Sequence, residues 1–225
     1  MAIELEQLNS EIISCIRCER LRTYCEQVAR VKRRAYREQV YWGKPVPGWG
    51  DPQASLLIIG LAPGAHGSNR TGRMFTGDRA GDFLYSALYR KGLCNQPTSI
   101  SRQDGLNLQG VYITAVGRCA PPLNKPLPDE LLQCRPFLVR ELKLLTSVKV
   151  ILALGRIAYD GTLRALKELG ETARKGSGSF AHGAVRPAGS YTLVASYHVS
   201  QQNTQTGRLT VPMFDDILQI CLSFF

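Results

Sequence analysis

Ser55-Leu56-Leu57-Ile58-Ile59 runs directly into Gly60-Leu61-Ala62-Pro63-Gly64-Ala65-His66-Gly67-Ser68-Asn69-Arg70-Thr71-Gly72-Arg73-Met74-Phe75-Thr76-Gly77-Asp78. The apolar run predicts a buried strand, and Phe83-Leu84-Tyr85-Ser86-Ala87-Leu88 beyond the loop has helical spacing. A long glycine loop therefore joins strand to helix. In an open α/β sheet this junction, at the carboxyl end of a strand, exposes backbone N–H groups and helix N-termini to a ligand. Gly60, Gly64, Gly67, Gly72 and Gly77 permit the turns and close backbone approach that such a loop needs.

Working outward, three more apolar runs predict strands: Val111 to Val116, Val148 to Gly155 and Tyr191 to Ser196. Helical patterns fall near residues 82–91, 129–145, 156–169 and 211–225, with Asp129 as a helix cap. Four strands alternating with helices predict an α/β fold: three layers, α/β/α, around a four-stranded, mainly parallel sheet. Residues 1–39 read as helical, broken near Cys15-Ile16-Arg17-Cys18. The turn-rich stretch from Trp42 to Pro52 is too short and aromatic for a flexible linker, so residues 1–225 are expected to form one domain with a helical segment over about residues 1–40. A Gly/Ser-rich loop spans Gly170 to Gly189 and contains His182. The loops after the first, second and fourth strands open on one sheet edge, which brings Asp78, Asn124 and His198 within reach of one another.

The chain of 225 residues carries a net charge of +10, which points to an anionic partner, nucleic acid ahead of a membrane surface. Arg30, Arg33, Arg34 and Arg37 share the spacing of one helical face, which suits a phosphate backbone. No apolar run approaches the roughly 18 residues of a spanning helix, and the N-terminus lacks a signal-peptide pattern. A cytoplasmic protein is expected. Its seven cysteines are an odd number and argue against a disulfide framework. Cys15 and Cys18 can point two sulfurs at one site, and Cys119 and Cys134 can complete a set of four for zinc or for a [4Fe–4S] cluster. Composition leaves that choice, and the choice of free buried thiols, open.

Asp78 sits where a helix cap belongs, yet it is also a carboxylate in the predicted ligand cleft, able to orient water or stabilise positive charge on a sugar. His198 follows the fourth strand and precedes an amide-rich run, a place for a donor to a developing anion. No Gly-Lys-Ser/Thr motif or metal-carboxylate pair supports a nucleotide hydrolase.

The segments Gly60 to Gly67, Arg70-Thr71-Gly72-Arg73, Phe75-Thr76-Gly77-Asp78, Arg118 to Pro122, Asn124-Lys125-Pro126, Ala195 to Ser200 and Asn203 to Thr210, with the Cys15/Cys18 pair, resemble the type B (family 5) uracil-DNA glycosylases. The resemblance covers nearly the whole chain. It implies the uracil-DNA glycosylase fold and a [4Fe–4S] cluster held by Cys15, Cys18, Cys119 and Cys134. It also implies hydrolysis of the N-glycosidic bond of uracil, and of other deaminated bases such as hypoxanthine, in double- and single-stranded DNA by a monomer. Asp78 matches the catalytic aspartate, Asn124 a pocket asparagine and His198 the histidine near the base, with Phe75 as the ring on which the base stacks. Gly60, Ala62, Gly64, Ala65 and His66 would form the pocket wall, and Arg70, Arg73 and Ser200 would contact DNA. The segment Gln205 to Thr210 would enter the groove, with Arg208 or Leu209 as wedge. The glycine motif has no acidic or amide residue between Ala62 and His66, so water activation falls to Asp78, and Met74 replaces an expected proline. The rival from another class is a non-catalytic, metal-stabilised nucleic-acid-binding module.

Overall fold

The structure is a computed structural model that describes residues 2–171 and 179–225. In chain order the elements are α1 (Ala2–Ile13), α2 (Glu19–Val31), β1 (Trp49–Gly50), β2 (Leu56–Gly60), α3 (Ser68–Thr71), α4 (Arg79–Arg90), β3 (Val111–Ala115), α5 (Pro128–Leu144), β4 (Val150–Leu154), α6 (Arg156–Glu168), β5 (Val185–Ala188), β6 (Tyr191–Ser196), α7 (Gln201–Gln205) and α8 (Val211–Leu222). The sheet order is β1-β3-β2-β4-β6-β5. β3, β2, β4 and β6 are parallel and are the four strands expected; β1 and β5 pair antiparallel at the two edges.

Alternation along the strands explains the layers. Leu56 and Ile58 of β2 face α4 and α8 in one core, together with Leu84, Leu88, Phe214 and Leu218. Leu57 and Ile59 face the opposite core, which α1, α5 and α6 close with Leu8, Ile12, Phe137, Leu138 and Leu166. Both faces are covered, so β2, β3 and β4 are buried throughout. Arg118, just past β3, forms a fully buried ion pair with Glu141 of α5 at 2.5 and 3.0 Å, joined by Thr114. Removing one partner of such a pair costs about 3–5 kcal/mol, because the other charge is left buried and uncompensated.

Three expectations need correction. The sheet has six strands, not four: β1 is only two residues long, and β5 carries Pro187, tolerated because the strand lies at an edge. Part of the expected Gly170–Gly189 loop is therefore β5; residues 172–178 of it lie outside the described residues. Arg30, Arg33, Arg34 and Arg37 do not form one helical face, since α2 stops at Val31 and Lys32 turns left-handed at φ 55°. The run Lys32-Arg33-Arg34 has no apolar side chain to bury and its like charges repel, so nothing extends the helix. Finally, Leu127 rather than Asp129 holds the cap position of α5, with Pro128 in the first helical position, where its missing N–H costs nothing, and the Glu130 carboxylate accepting from the Leu127 N–H at 2.7 Å.

β2 leads through α4 to β3 on one side, while β4 leads through α6 to β6 on the other. The crevice between the carboxyl ends of β2 and β4 is thus the switch point of the sheet, where open α/β folds bind their ligands.

Candidate active site

Gly60 ends β2 at this crevice. A Cβ there would stand 2.7 Å from the Phe75 ring, so the absence of a side chain is what lets the ring lie over the strand end. Phe75 itself is held at φ 52°, a strained setting for an aromatic residue and one typical of functional loops. Its ring faces that of His198 at 6.2 Å with a tilt of 33°.

Asp78 uses its two oxygens differently. Oδ1 accepts from the Gly81 N–H at 3.0 Å and caps α4. Oδ2 lies against the glycine loop, where a Cβ on Gly64 would come within 2.9 Å of it and one on Gly67 would overlap it. Burial raises the Asp78 pKa above the usual carboxylate value, against the lowering by the Gly81 and Ala80 N–H groups. The carboxylate is thus partly desolvated at the wall of the crevice.

His198 follows β6 across from Phe75. Gly155, at φ 91° beyond β4, makes room for it, since a Cβ there would sit 3.2 Å from that of His198. The Asn203 side chain donates to the His198 carbonyl at 2.8 Å and ties α7 to the same corner. Burial lowers the His198 pKa to about 4, so the imidazole is neutral near pH 7. A neutral ring is an N–H donor without a counter-ion to desolvate. Phe75, Asp78 and His198 therefore gather round one crevice with a ring, a carboxylate and a donor.

The other expected residues divide. Gly64 belongs to the wall beside Asp78, Ala62 lies next to Gly117, and Ala65 packs against the cluster of Leu21, Cys25, Cys119 and Ala120. His66 turns its Nδ1 to the Tyr41 hydroxyl at 3.0 Å. Arg70 and Arg73 are not phosphate contacts: they are 7% and 5% exposed. Arg70 donates to the His66 and Gly77 carbonyls at 2.7 and 2.6 Å and to Gln39, and Arg73 to Thr76, Ser99 and Asp104 at 2.9, 2.8 and 2.7 Å. A turn-dense loop leaves carbonyls without ladder partners, and the Arg70 guanidinium supplies donors to two of them, while Arg73 binds side-chain oxygens. Leu209 is not a wedge, since it is 1% exposed inside the core. Arg208 is exposed, its guanidinium 4.7 Å over the Tyr197 ring, and Gln205 is exposed at the end of α7, which Ser200 precedes as the cap residue. Asn124 is exposed in a tight turn at Pro122–Asn124, with φ 56°.

Sequence reasoning missed the second half of the crevice. A pocket of about 540 Å³ beside His198 is lined by Gly155, Arg156, His182, Tyr197, Asn203 and Arg208, among others. His182 stacks on Tyr197 at 4.7 Å and 12°, its Nδ1 accepting from the Tyr197 N–H at 3.1 Å. One signal was available: Gly155 follows a buried strand just as Gly60 does.

All seven cysteines are free, with Cys119 and Cys134 buried and Cys15 and Cys18 half-buried. Burial, then the neighbouring Cys134, Cys119 and Cys15, raises the Cys18 pKa to about 11, which places these sulfurs in one another's field. Among the described residues no group of three or more His, Cys, Asp or Glu is set to hold a metal ion. Among the described residues no helix is long and apolar enough to cross a membrane.

The switch-point crevice of this α/β/α frame thus holds a carboxylate, an aromatic ring and a neutral histidine. The chain belongs to the uracil DNA glycosylase superfamily, whose family model matches residues 47–221, and within it to the type-5 branch. It is 50% identical over 217 residues to the type-5 uracil-DNA glycosylase of Thermus thermophilus, covering 96% of each chain. It is 50% identical over 215 residues to that of Mycobacterium bovis, covering 95% of this chain and 79% of the relative. The type-5 enzyme of Pyrobaculum aerophilum is 43% identical over 210 residues, covering 93% of this chain and 88% of the relative.

Proposed function

We propose that the chain is a monofunctional DNA glycosylase that hydrolyses the N-glycosidic bond of uracil in DNA and leaves an abasic site for repair. The observation that carries this reading is the convergence of Phe75, Asp78 and His198 on the crevice between β2 and β4. A base inside a duplex is unreachable, so the nucleotide is flipped out at a cost of about a few kcal/mol, least for a mismatch. The flipped base stacks on Phe75. As the C1′–N1 bond breaks, the sugar gains oxocarbenium character and the base leaves as an anion. Asp78 faces the sugar, stabilises the positive charge and orients the water whose oxygen bonds to C1′, taking up its proton. His198 donates its N–H to the departing base oxygen; a preorganised donor of this kind is typically worth about 10² to 10³ in rate. Asn124, Ser200, Gln205 and Arg208 supply further contacts to the base or the DNA strand.

Gly60 and Gly64, which line the crevice beside Phe75 and Asp78, have no side chain to read a base edge, which supports a range of bases that includes hypoxanthine; double- and single-stranded DNA are both taken as substrates. The site is built from one chain, as suits a monomer. Cys15, Cys18, Cys119 and Cys134 would hold a [4Fe–4S] cluster, since four free thiols lie in one another's field, and sulfurs spread round a cluster need not meet at a single ion. When bound, the cluster would pin the N-terminal helices to the loop after β3.

The test is release of free base from oligonucleotides carrying U·G, U·A, single-stranded U and hypoxanthine, with a magnesium chelator present and no nucleotide added. Uracil release from all three uracil substrates is the expected result. Binding without release would identify a non-catalytic module instead.

A further inference from the structure

With Leu209 in the core and the Arg208 guanidinium over the Tyr197 ring, the gap that a flipped nucleotide leaves in the base stack is open to an apolar occupant from another loop. We propose that Leu123, at the tip of the turn Pro122–Asn124, is the apolar wedge that enters the duplex; this rests on the reading of the chain as a uracil-excising enzyme.

Leu123 is 83% exposed, with its neighbour Asn124 also exposed. An exposed leucine alone means little, but here two consecutive non-glycine residues are left-handed, Leu123 at φ 55° and Asn124 at φ 56°. Strain of that kind persists only where the surroundings enforce it, and it gathers at functional sites. The surroundings are on view. The Asn124 and Lys125 N–H groups donate back to the Pro121 and Pro122 carbonyls at 3.1 and 3.0 Å, and Pro121, Pro122, Pro126 and Pro128 restrict the backbone on both sides. Beyond the turn, Arg20 donates to the Lys125 carbonyl at 3.4 Å and pairs with Glu130 at 2.7 Å. The tip is therefore rigid, and an isobutyl group is held out into water by a backbone that would relax otherwise.

Its position fits. The loop leaves β3 alongside the glycine loop, Val116 N–H to Gly60 carbonyl at 3.0 Å and Gly117 N–H to Leu61 carbonyl at 2.9 Å. The loop that carries Leu123 thus starts beside the glycine loop that carries Phe75 and Asp78, at the carboxyl end of the sheet. Apolar side chains inserted between base steps partly unstack the duplex and hold the vacated space. Lys125, exposed two residues on, is placed to meet the backbone phosphates.

A wedge matters only where there is a stack to enter, which a general weakening of the site does not reproduce. Single-turnover release of uracil is measured from U·A duplex and from the same strand unpaired, for the unmodified protein, Leu123→Ala and Leu123→Met, with 2-aminopurine beside the uracil as a fluorescent reporter of unstacking. For Leu123→Ala the duplex-to-single-strand rate ratio is expected to fall on the order of tenfold and the fluorescence rise to be lost, with Leu123→Met restoring both. An unchanged ratio in Leu123→Ala, with uracil still released from both substrates, overturns the proposal alone. No release by the unmodified protein from either substrate overturns the reading beneath it as well.

Discussion

Asp78 and His198 are set in opposite protonation problems by the same cause. Burial raises the acid of Asp78 and lowers the imidazole of His198 to about 4, so both are pushed toward the neutral form. On the proposed reading Asp78 acts ionised and His198 neutral, so the acid limb of the rate profile is expected to be that of Asp78, whose pKa burial raises above the ordinary carboxylate value. His198→Asn is expected to slow single-turnover release by about 10²-fold or more while leaving that acid limb in place. A limb that moves or vanishes in this variant would assign the proton to His198. Phe75 was named only through the family resemblance, whereas the placement of Asp78 and His198 at the crevice was legible in the sequence because each lies where a loop meets a strand or helix. Arg70, Arg73 and Leu209 were not. Their burial depends on distant partners, such as Asp104 and Ser99 for Arg73, that no local pattern names.

At the scale of elements, the apolar runs announced β2, β3, β4 and β6 because parallel strands covered on both faces are mostly apolar. The edge strands β1 and β5 carry no such signal, being short and half-exposed. The end of α2 was hidden for a related reason: four arginines at helical spacing describe a face, but only an apolar stripe would hold it against the core. Cys15 and Cys18 lie between α1 and α2, Cys119 in the loop after β3 and Cys134 in α5. The protein as purified is expected to be brown, with a broad band near about 400 nm from iron–sulfur charge transfer, four irons and four sulfides per chain. Cys15→Ser is expected to lose the band and lower the Tm. A colourless protein containing zinc would contradict this assignment.

For the whole molecule, fold and site follow from one topological fact. The chain reverses direction across the sheet between β2 and β4, and two glycines, Gly60 at the end of β2 and Gly155 just past β4, open the crevice there for Phe75 and His198. Asp78 closes it while capping α4, which has a thermodynamic consequence. An acid whose pKa is raised on folding makes the folded state less stable as pH rises through that pKa, so at neutral pH the ionised Asp78 is held at a cost. Asparagine caps a helix about as well as aspartate and carries no charge to desolvate. Whether Asp78 is the residue this fold is arranged to present is decided by measuring uracil release from a U·G duplex and Tm together for the unmodified protein and Asp78→Asn. Release is expected to fall by several orders of magnitude while DNA binding persists and the Tm stays level or rises. Release at an undiminished rate, or a loss of activity that merely follows a fall in Tm, would contradict it.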